Sequence, residues 1–167
     1  MPSSAVFEAL DDQDLVPNWC AERFGIDKVV FSQHRFWSKK NRGDVWITSA
    51  ESVPVDLGKV SAFGLLVMRR YPPRGKPTSV FLQRFAGSAN RNFVDLTRDQ
   101  LRQYFARDPL PINDPNLSRG SCVVRARGRV IGCGRWDEGL LINQWPKHYT
   151  ADLPGQCPIL VPLGPDS

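Results

Sequence analysis

The chain has 167 residues, of which 41% are hydrophobic, and carries a formal net charge of +5. This length is enough for one large domain or two small ones, and the longest apolar runs are far too short to span a membrane. The acidic N-terminus lacks the basic flank and apolar stretch of a secretory signal. Four cysteines without a C-x-x-C pair disfavour zinc. We therefore expect a cytoplasmic protein without a cofactor, whose cysteines are small buried hydrophobic residues.

The charge is unevenly distributed along the chain. Residues 1–30 carry a net charge of −4, residues 31–147 a net charge of +11, and residues 148–167 a net charge of −2. Arginine-rich surfaces often serve only solubility. A charge of +11 held between two acidic ends nevertheless favours a polyanionic partner.

The N-terminal third predicts one helix and one hairpin. Residues 1–13 are acidic and are expected to fray. Asp14 can cap a helix that ends at Gly25, a residue suited to a helix C-terminus. Residues 36–37 and 45–48 then read as two strands. The basic loop between them lies beside aromatic residues and could grip a phosphate backbone, although a solubilised turn is the favoured interpretation.

The middle of the chain predicts a buried strand followed by a helix. Residues 62–68 form an apolar run, and a proline-stiffened loop at residues 71–77 follows it. Thr78 or Ser79 can cap the helix, with Gly87 ending it.

A second helix has the clearest start signal in the sequence. A short strand at residues 93–96 leads to Thr97, and Gln100 lies three residues later, which is the spacing of a capping box for a helix through Phe105. The linker at residues 108–118 has three prolines and no periodicity, so it is expected to be a surface connection.

Residues 119–147 are the most informative stretch. Three short apolar runs are separated by turns at residues 127–129 and 137–139, which is typical of a β-meander in a small barrel or sandwich. Arginines occupy strand positions where Thr, Val or Tyr would be preferred. Gly132 and Gly134 lie on one face of the predicted strand, so a ligand, a second backbone or a packed helix is expected to come close there.

This stretch resembles a PUA-like domain, the RNA-binding module of pseudouridine synthases and archaeosine transglycosylases. It is most similar to the version at the C-terminus of Sun-family RNA cytosine-C5 methyltransferases, and residues 19–93 resemble more distantly the pre-PUA region of ribosome-biogenesis factors. The matching residues are Leu96, Thr97, Gln100, Tyr104, Gly120, Val123, Val124, Arg125, Gly128, Arg129, Gly132, Gly134, Gly139, Asn143, Pro146 and Lys147.

The resemblance implies an α+β fold with two parts. Residues 1–92 would form an N-terminal α/β, pre-PUA-like unit. Residues 93–167 would form a PUA-like β-pseudobarrel with a short capping helix, and at most one more strand, near residues 157–163, would follow Lys147.

The resemblance also implies structured RNA, ribosomal or transfer, as the partner, in ribosome biogenesis or RNA modification. The candidate phosphate ligands are Arg125, Arg127, Arg129, Arg135 and Lys147. Gly132 and Gly134 would permit close approach of the RNA backbone. Asn143 and Gln144 would reach a base or a 2′-hydroxyl, and Arg84 and Arg91 would extend the surface.

No catalytic constellation stands out in the sequence. His34 and His148 are far apart, Asp137-Glu138 reads as a turn, and the motifs of metalloproteases, serine hydrolases and nucleotide-binding loops are absent. The chain is also too short to hold a Rossmann-type methyltransferase domain. We therefore expect a binding protein and no enzyme. The alternative is a protein-interaction adaptor that docks on a ribosomal protein or RNA methyltransferase and uses its basic face only for steering.

Overall fold

The computed structural model describes residues 6–39, 42–53 and 60–146. These residues contain ten strands and three α-helices. They divide into two compact units, one ending at Asn90 and the other beginning at Arg91. The strand expected near residues 157–163 lies outside the described residues, as do Lys147 and His148.

The first unit is built on a five-stranded antiparallel sheet with the strand order β1-β2-β3-β4-β5. Its strands are β1 (Phe7–Ala9), β2 (His34–Lys39), β3 (Val45–Ser49), β4 (Leu65–Arg69) and β5 (Lys76–Pro77). Its helices are α1 (Leu15–Phe24), a short 3-10 helix (Lys28–Phe31) and α2 (Ser79–Phe85).

For residues 7–9, strand β1 corrects the expectation that residues 1–13 fray. Phe7 lies opposite Lys39 of β2, and its buried ring meets the Trp46 ring edge-on with centroids 5.6 Å apart. Burial of the aromatic ring and pairing with β2 both oppose the entropy cost of ordering this short segment.

The predicted helix ends of the first unit are largely confirmed. Gly25 ends α1 with φ +65°, and its N–H donates to the Ala21 carbonyl at 2.9 Å. Thr78 caps α2 by accepting a hydrogen bond from the Phe81 N–H at 3.2 Å. Asp14 precedes α1 as expected but makes no side-chain cap; its own N–H donates to Asp12 Oδ1 instead, at 2.9 Å.

The second unit is built on a mixed five-stranded sheet with the strand order β6-β8-β9-β10-β7, in which β6 and β8 run parallel. Its strands are β6 (Phe93–Asp95), β7 (Leu110–Pro111), β8 (Gly120–Ala126), β9 (Arg129–Asp137) and β10 (Leu140–Asn143). Its helix is α3 (Arg98–Phe105).

Strand β7 lies in the linker that the sequence predicts to be irregular. Leu110 pairs with Leu141 and is buried, and Pro111 pairs with Leu140 at the edge of the sheet. An edge strand tolerates proline, and a strand of two residues has no periodicity to detect.

The capping box of α3 is confirmed. The Gln100 N–H donates to Thr97 Oγ1 at 3.3 Å, and the Thr97 N–H donates to Gln100 Oε1 at 2.9 Å. The helix packs its buried residues Leu101 and Tyr104 into the core of the second unit. This core also contains Val94, Leu96, Leu110, Leu117, Cys122, Val124, Ala126, Ile131 and Leu141.

Candidate nucleic-acid interface

The β8–β9 hairpin ends in a tight turn that carries two exposed arginines. Arg127 and Gly128 both have positive φ, +49° and +71°, and the turn closes between Ala126 and Arg129, as in a type I′ hairpin. The side chains of Arg127 and Arg129 are exposed, and neither forms an ion pair with the described residues. The hairpin tip therefore presents two guanidinium groups to solvent.

Arg125 lies on the same hairpin but has partners within the unit. Its Nε and Nη2 donate to the two carboxylate oxygens of Asp95 at 3.1 and 2.8 Å. Its guanidinium carbon lies 3.7 Å from the centre of the Phe93 ring, and its side chain is 19% exposed. Arg125 therefore links β8 to β6, and its role as a phosphate ligand stays a prediction, in which a phosphate would compete with Asp95.

Arg135 shares a carboxylate with an arginine that the sequence analysis did not select. Arg135 Nη2 lies 2.9 Å from Asp137 Oδ2, and Arg119 Nε lies 2.9 Å from Asp137 Oδ1. These three side chains together carry a net charge of +1. Arg119 was missed because only the sheet register brings it to Asp137, and the sequence shows no sign of that pairing.

The predicted arginines fall into two groups in the structure. Arg125 and Ser121 of β8 lie on the same face of the sheet. Arg135 of β9 lies opposite Ser121 and shares that face. Arg127 and Arg129 lie at the end of the hairpin. The structure therefore does not arrange all four in a single row.

The glycine pair faces the core. Gly132 lies opposite Val124 and Gly134 opposite Cys122, and both partners are core residues. A Cβ atom on Gly134 would lie 2.7 Å from Leu141 Cδ1 and 2.8 Å from Val124 Cγ2. The proposed approach of an RNA backbone to this face is therefore corrected, because the space is already filled by side chains of the unit itself.

Asn143 also has a structural role. Its Nδ2 donates to the Tyr104 carbonyl at 2.7 Å, and its Oδ1 accepts from the Trp145 N–H at 2.7 Å. The side chain is buried, so it does not reach a base as predicted. Gln144 is half-buried, and its Nε2 lies 3.4 Å from the Asn143 carbonyl oxygen.

Tyr104 connects α3 to the central strand of the sheet. Its hydroxyl donates to the Cys133 carbonyl at 2.7 Å inside the core. Burial raises the pKa of Tyr104 well above its ordinary value, and the neighbouring Cys133 and Cys122 raise it further. The sequence indicates a buried tyrosine at this position but not the acceptor of its hydrogen bond.

The remaining predicted residues belong to elements other than the hairpin. Arg84 is exposed on α2 of the first unit, and Arg91 is exposed at the start of the second unit. Among the described residues, no group of three or more His, Cys, Asp or Glu side chains could hold a metal ion. No helix in the described part of the chain is long and apolar enough to cross a membrane.

Comparison with known proteins agrees with this architecture. Residues 91–151 match the sequence model of the methyltransferase RsmF PUA domain. Over 130 residues, the chain is 25% identical to "Ribosomal RNA small subunit methyltransferase F" of Vibrio vulnificus strain YJ016, and equally to that of strain CMCP6. The alignments cover 76% of this chain and 26% of each relative.

The chain thus spans about a quarter of the length of the curated relatives it matches. The aligned stretch is longer than the second unit, so the similarity extends into the first unit. The second unit is strand-rich, with a sheet that curls into a half-barrel, as expected for a PUA-like fold. The predicted resemblance to the PUA-like domain of Sun-family RNA methyltransferases is therefore confirmed, and residues 91–151 carry it.

Proposed function

We propose that this chain binds structured ribosomal or transfer RNA through its second unit, as an accessory factor in ribosomal RNA modification or ribosome biogenesis. The observation that carries this proposal is the match of residues 91–151 to the methyltransferase RsmF PUA domain. The relatives to which the chain aligns are named as ribosomal RNA methyltransferases. In this proposal the second unit closes as a PUA-like pseudobarrel, and the first unit plays the part of a pre-PUA unit.

The exposed guanidinium groups of the hairpin are the main phosphate ligands in this proposal. Arg127 and Arg129 have no described anionic partner, so binding a phosphate would not require them to give up an ion pair. Planar guanidinium groups suit bidentate contacts to phosphate oxygens. Arg135 adds a weaker contact because Asp137 competes for it. Recognition of this kind reads the shape and backbone of folded RNA more than its bases.

Under this proposal the chain is a binding protein and not a catalyst. The matched region corresponds to the PUA domain of the relatives, and the relatives are about four times as long as this chain's aligned part. We therefore assign the chain no reaction and no cofactor.

A second candidate function is docking on a ribosomal protein or an RNA methyltransferase. Leu140 and Ile142 of β10 are 41% and 37% exposed. Ile142 pairs with Arg135 and Leu140 pairs with Asp137, so aliphatic and charged side chains lie side by side on this face of the sheet. Such a mixed surface suits a protein partner as well as RNA.

The test of the proposed function uses the full chain and fluorescein-labelled stem-loop transcripts of small-subunit ribosomal RNA and of transfer RNA. Fluorescence anisotropy gives the Kd of the wild type and of the double variant Arg127→Ala/Arg129→Ala. We expect the double variant to bind about tenfold more weakly or worse, since each charge-assisted hydrogen bond contributes more than about 1 kcal/mol.

The matched control is Lys28→Ala/Arg35→Ala, which removes the same charge from exposed positions of the first unit. We expect the control to bind nearly as well as the wild type. Binding that never saturates, or that heparin displaces as readily as RNA, would contradict a defined RNA site. Binding to a purified methyltransferase without binding to either RNA would favour the second candidate.

A further inference from the structure

Two loops of the first unit lie against each other at one end of its sheet. The β2–β3 loop contains Arg42 and Gly43, and the β4–β5 loop contains Arg70 and Tyr71. A Cβ atom on Gly43 would lie 3.6 Å from Cδ2 of the Tyr71 ring and 3.9 Å from Arg70 Cα. The two loops therefore lie side by side, and even a methyl group on Gly43 would touch the Tyr71 ring.

This surface is strongly basic. Its exposed cations are Arg42, Arg69, Arg70, Arg74 and Lys76, which we name the first-unit basic cluster. None of them forms an ion pair with the described residues. Asp44 is the one acidic side chain in residues 42–44 and 69–76. The cluster therefore carries a large uncompensated positive charge.

Part of this charge is placed where it opposes folding. Arg69 and Lys76 lie directly opposite each other on β4 and β5, and like charges in this position destabilise a sheet. Lysine and proline on the edge strand β5 also discourage pairing with other chains. That role accounts for Lys76 but not for the arginines on the two loops. A polyanion bound here would relieve the repulsion.

Tyr71 adds an aromatic surface to the cluster. Its side chain is 41% exposed, although it lies between cations that are themselves exposed. Arg70, which precedes it, has φ +72°, an uncommon conformation for a residue other than glycine. An exposed ring flanked by guanidinium groups is the combination that binds unpaired nucleotides, since the base stacks on the ring while cations contact the phosphates.

We propose that the first-unit basic cluster is a second RNA-binding surface, which holds an unpaired segment of RNA by its phosphates and stacks one base on Tyr71. The proposal rests on the proposed function, because it assumes that the chain binds RNA. It adds a surface outside residues 91–151, the part of the chain that matches the PUA domain. It also names the kind of RNA segment, an unpaired loop or end beside a folded element.

The charge of the cluster is tested with the variant Arg70→Ala/Arg74→Ala and a labelled 20-nucleotide oligouridine. The logarithm of the association constant is measured against the logarithm of salt concentration. Loss of two phosphate contacts to a single strand should make this negative slope shallower by about 1.4. The control Lys28→Ala/Arg35→Ala, with the same loss of charge, should leave the slope unchanged.

The aromatic contact is tested with Tyr71→Ala and Tyr71→Phe. Removal of a stacking ring should weaken binding of oligouridine by about 5- to 150-fold, whereas phenylalanine should keep the affinity of the wild type. Equal affinity of Tyr71→Ala and the wild type would overturn the assignment of a stacked base.

A measurement on the unaltered protein keeps the proposal testable if a variant does not fold. Oligouridine containing 5-iodouridine is cross-linked to the wild-type chain by light, and the cross-linked peptide is identified by mass spectrometry. We expect the peptide that contains Tyr71. Cross-links confined to residues 91–146 would overturn the proposal.

The two proposals fail in different ways. If the wild type binds stem-loop RNA and Arg127→Ala/Arg129→Ala weakens that binding, the proposed function stands. If the cluster variants then keep the affinity and salt slope of the wild type, the second surface is overturned alone. If the wild type binds neither the stem-loop RNA nor oligouridine, both proposals are overturned together.

Discussion

Single arginines of the second unit differ in availability because of their neighbours. Arg125 lies between Asp95 and Phe93 with little exposure, whereas Arg127, two residues later, has no described anionic partner. Both carry the same charge in the sequence. Their availability for phosphate binding differs, because an arginine that must leave a carboxylate to bind a phosphate gains little free energy from the exchange.

The first prediction at this scale concerns Gly134. Gly134→Ala should destabilise the protein by about 1 kcal/mol and Gly134→Val by about 1–3 kcal/mol, because the added atoms would press on Leu141 and on the stiff β-branched Val124. Urea unfolding gives the free energies. Gly87→Ala is the control, since a Cβ atom there meets nothing within 4 Å. Unchanged stability of Gly134→Val would mean that the face is open.

The second prediction concerns Tyr104 and alkaline pH. Burial raises the pKa of Tyr104, so the folded protein holds this proton more tightly than the unfolded chain does. The contribution is complete below the ordinary tyrosine pKa of about 10 and is lost as pH rises towards the folded value. Above about pH 10 the unfolding free energy of the wild type should therefore fall more steeply than that of Tyr104→Phe, by about 1.4 kcal/mol per pH unit.

The same two proteins are also compared near neutral pH. Tyr104→Phe should be less stable than the wild type near pH 7, because it loses the hydrogen bond to the Cys133 carbonyl. The two curves of unfolding free energy against pH should then converge above pH 10. Parallel curves over the whole range would show that folding does not raise the pKa of Tyr104.

At the scale of elements, α3 and β10 stabilise each other through a polar contact inside the core. The capping box starts α3, and the Asn143 side chain binds the Tyr104 carbonyl near the end of the helix. The same asparagine accepts the Trp145 N–H and so shapes the chain after β10. An asparagine that the resemblance suggested for RNA thus joins two elements of the fold.

Asn143→Ala tests this role. The change should destabilise the protein by about 1–3 kcal/mol, because it leaves a buried carbonyl and a partly buried N–H without their partner. The RNA affinity of the folded fraction should stay within about twofold of the wild type, which is a change in binding free energy below roughly 0.4 kcal/mol. Thermal unfolding and anisotropy at low temperature measure the two effects separately. A stable variant with weakened binding would return Asn143 to the RNA site.

At the scale of the whole molecule, exposed cations are present on both units. The tip of the β8–β9 hairpin and the first-unit basic cluster belong to separate compact units, and each lacks described acidic partners. Together the two groups hold seven of the twenty cations in residues 31–147, the part of the chain with a net charge of +11.

Binding of RNA by such a molecule should depend strongly on salt. If the chain neutralises about five phosphates of an unpaired or loop RNA, log K should fall against log salt with a slope of about −3.5. Titrations between about 50 and 200 mM salt measure it, within the range where counterion release dominates. A flat dependence would contradict a phosphate-based interface on either unit.

The sequence by itself determined the elements whose signals are local. The capping box at Thr97 and Gln100, the left-handed end of α1 at Gly25 and the turn at Arg127-Gly128 depend on a few neighbouring residues, so they were predictable. The motif of the second unit also predicted its resemblance to the PUA-like domain of RNA methyltransferases. Strands β1 and β7 were not predictable, because each is short and exists only through its partner in the sheet.

Only the tertiary structure decided which of the motif residues are available to RNA. Gly134 and Asn143 belong to the motif, and the register of β9 and β10 turns both towards the core under α3. The pairing of Arg125 with Asp95 and of Arg119 with Asp137 depends in the same way on contacts within the folded sheet. Availability depends on what surrounds a side chain, and residues distant in sequence supply those surroundings.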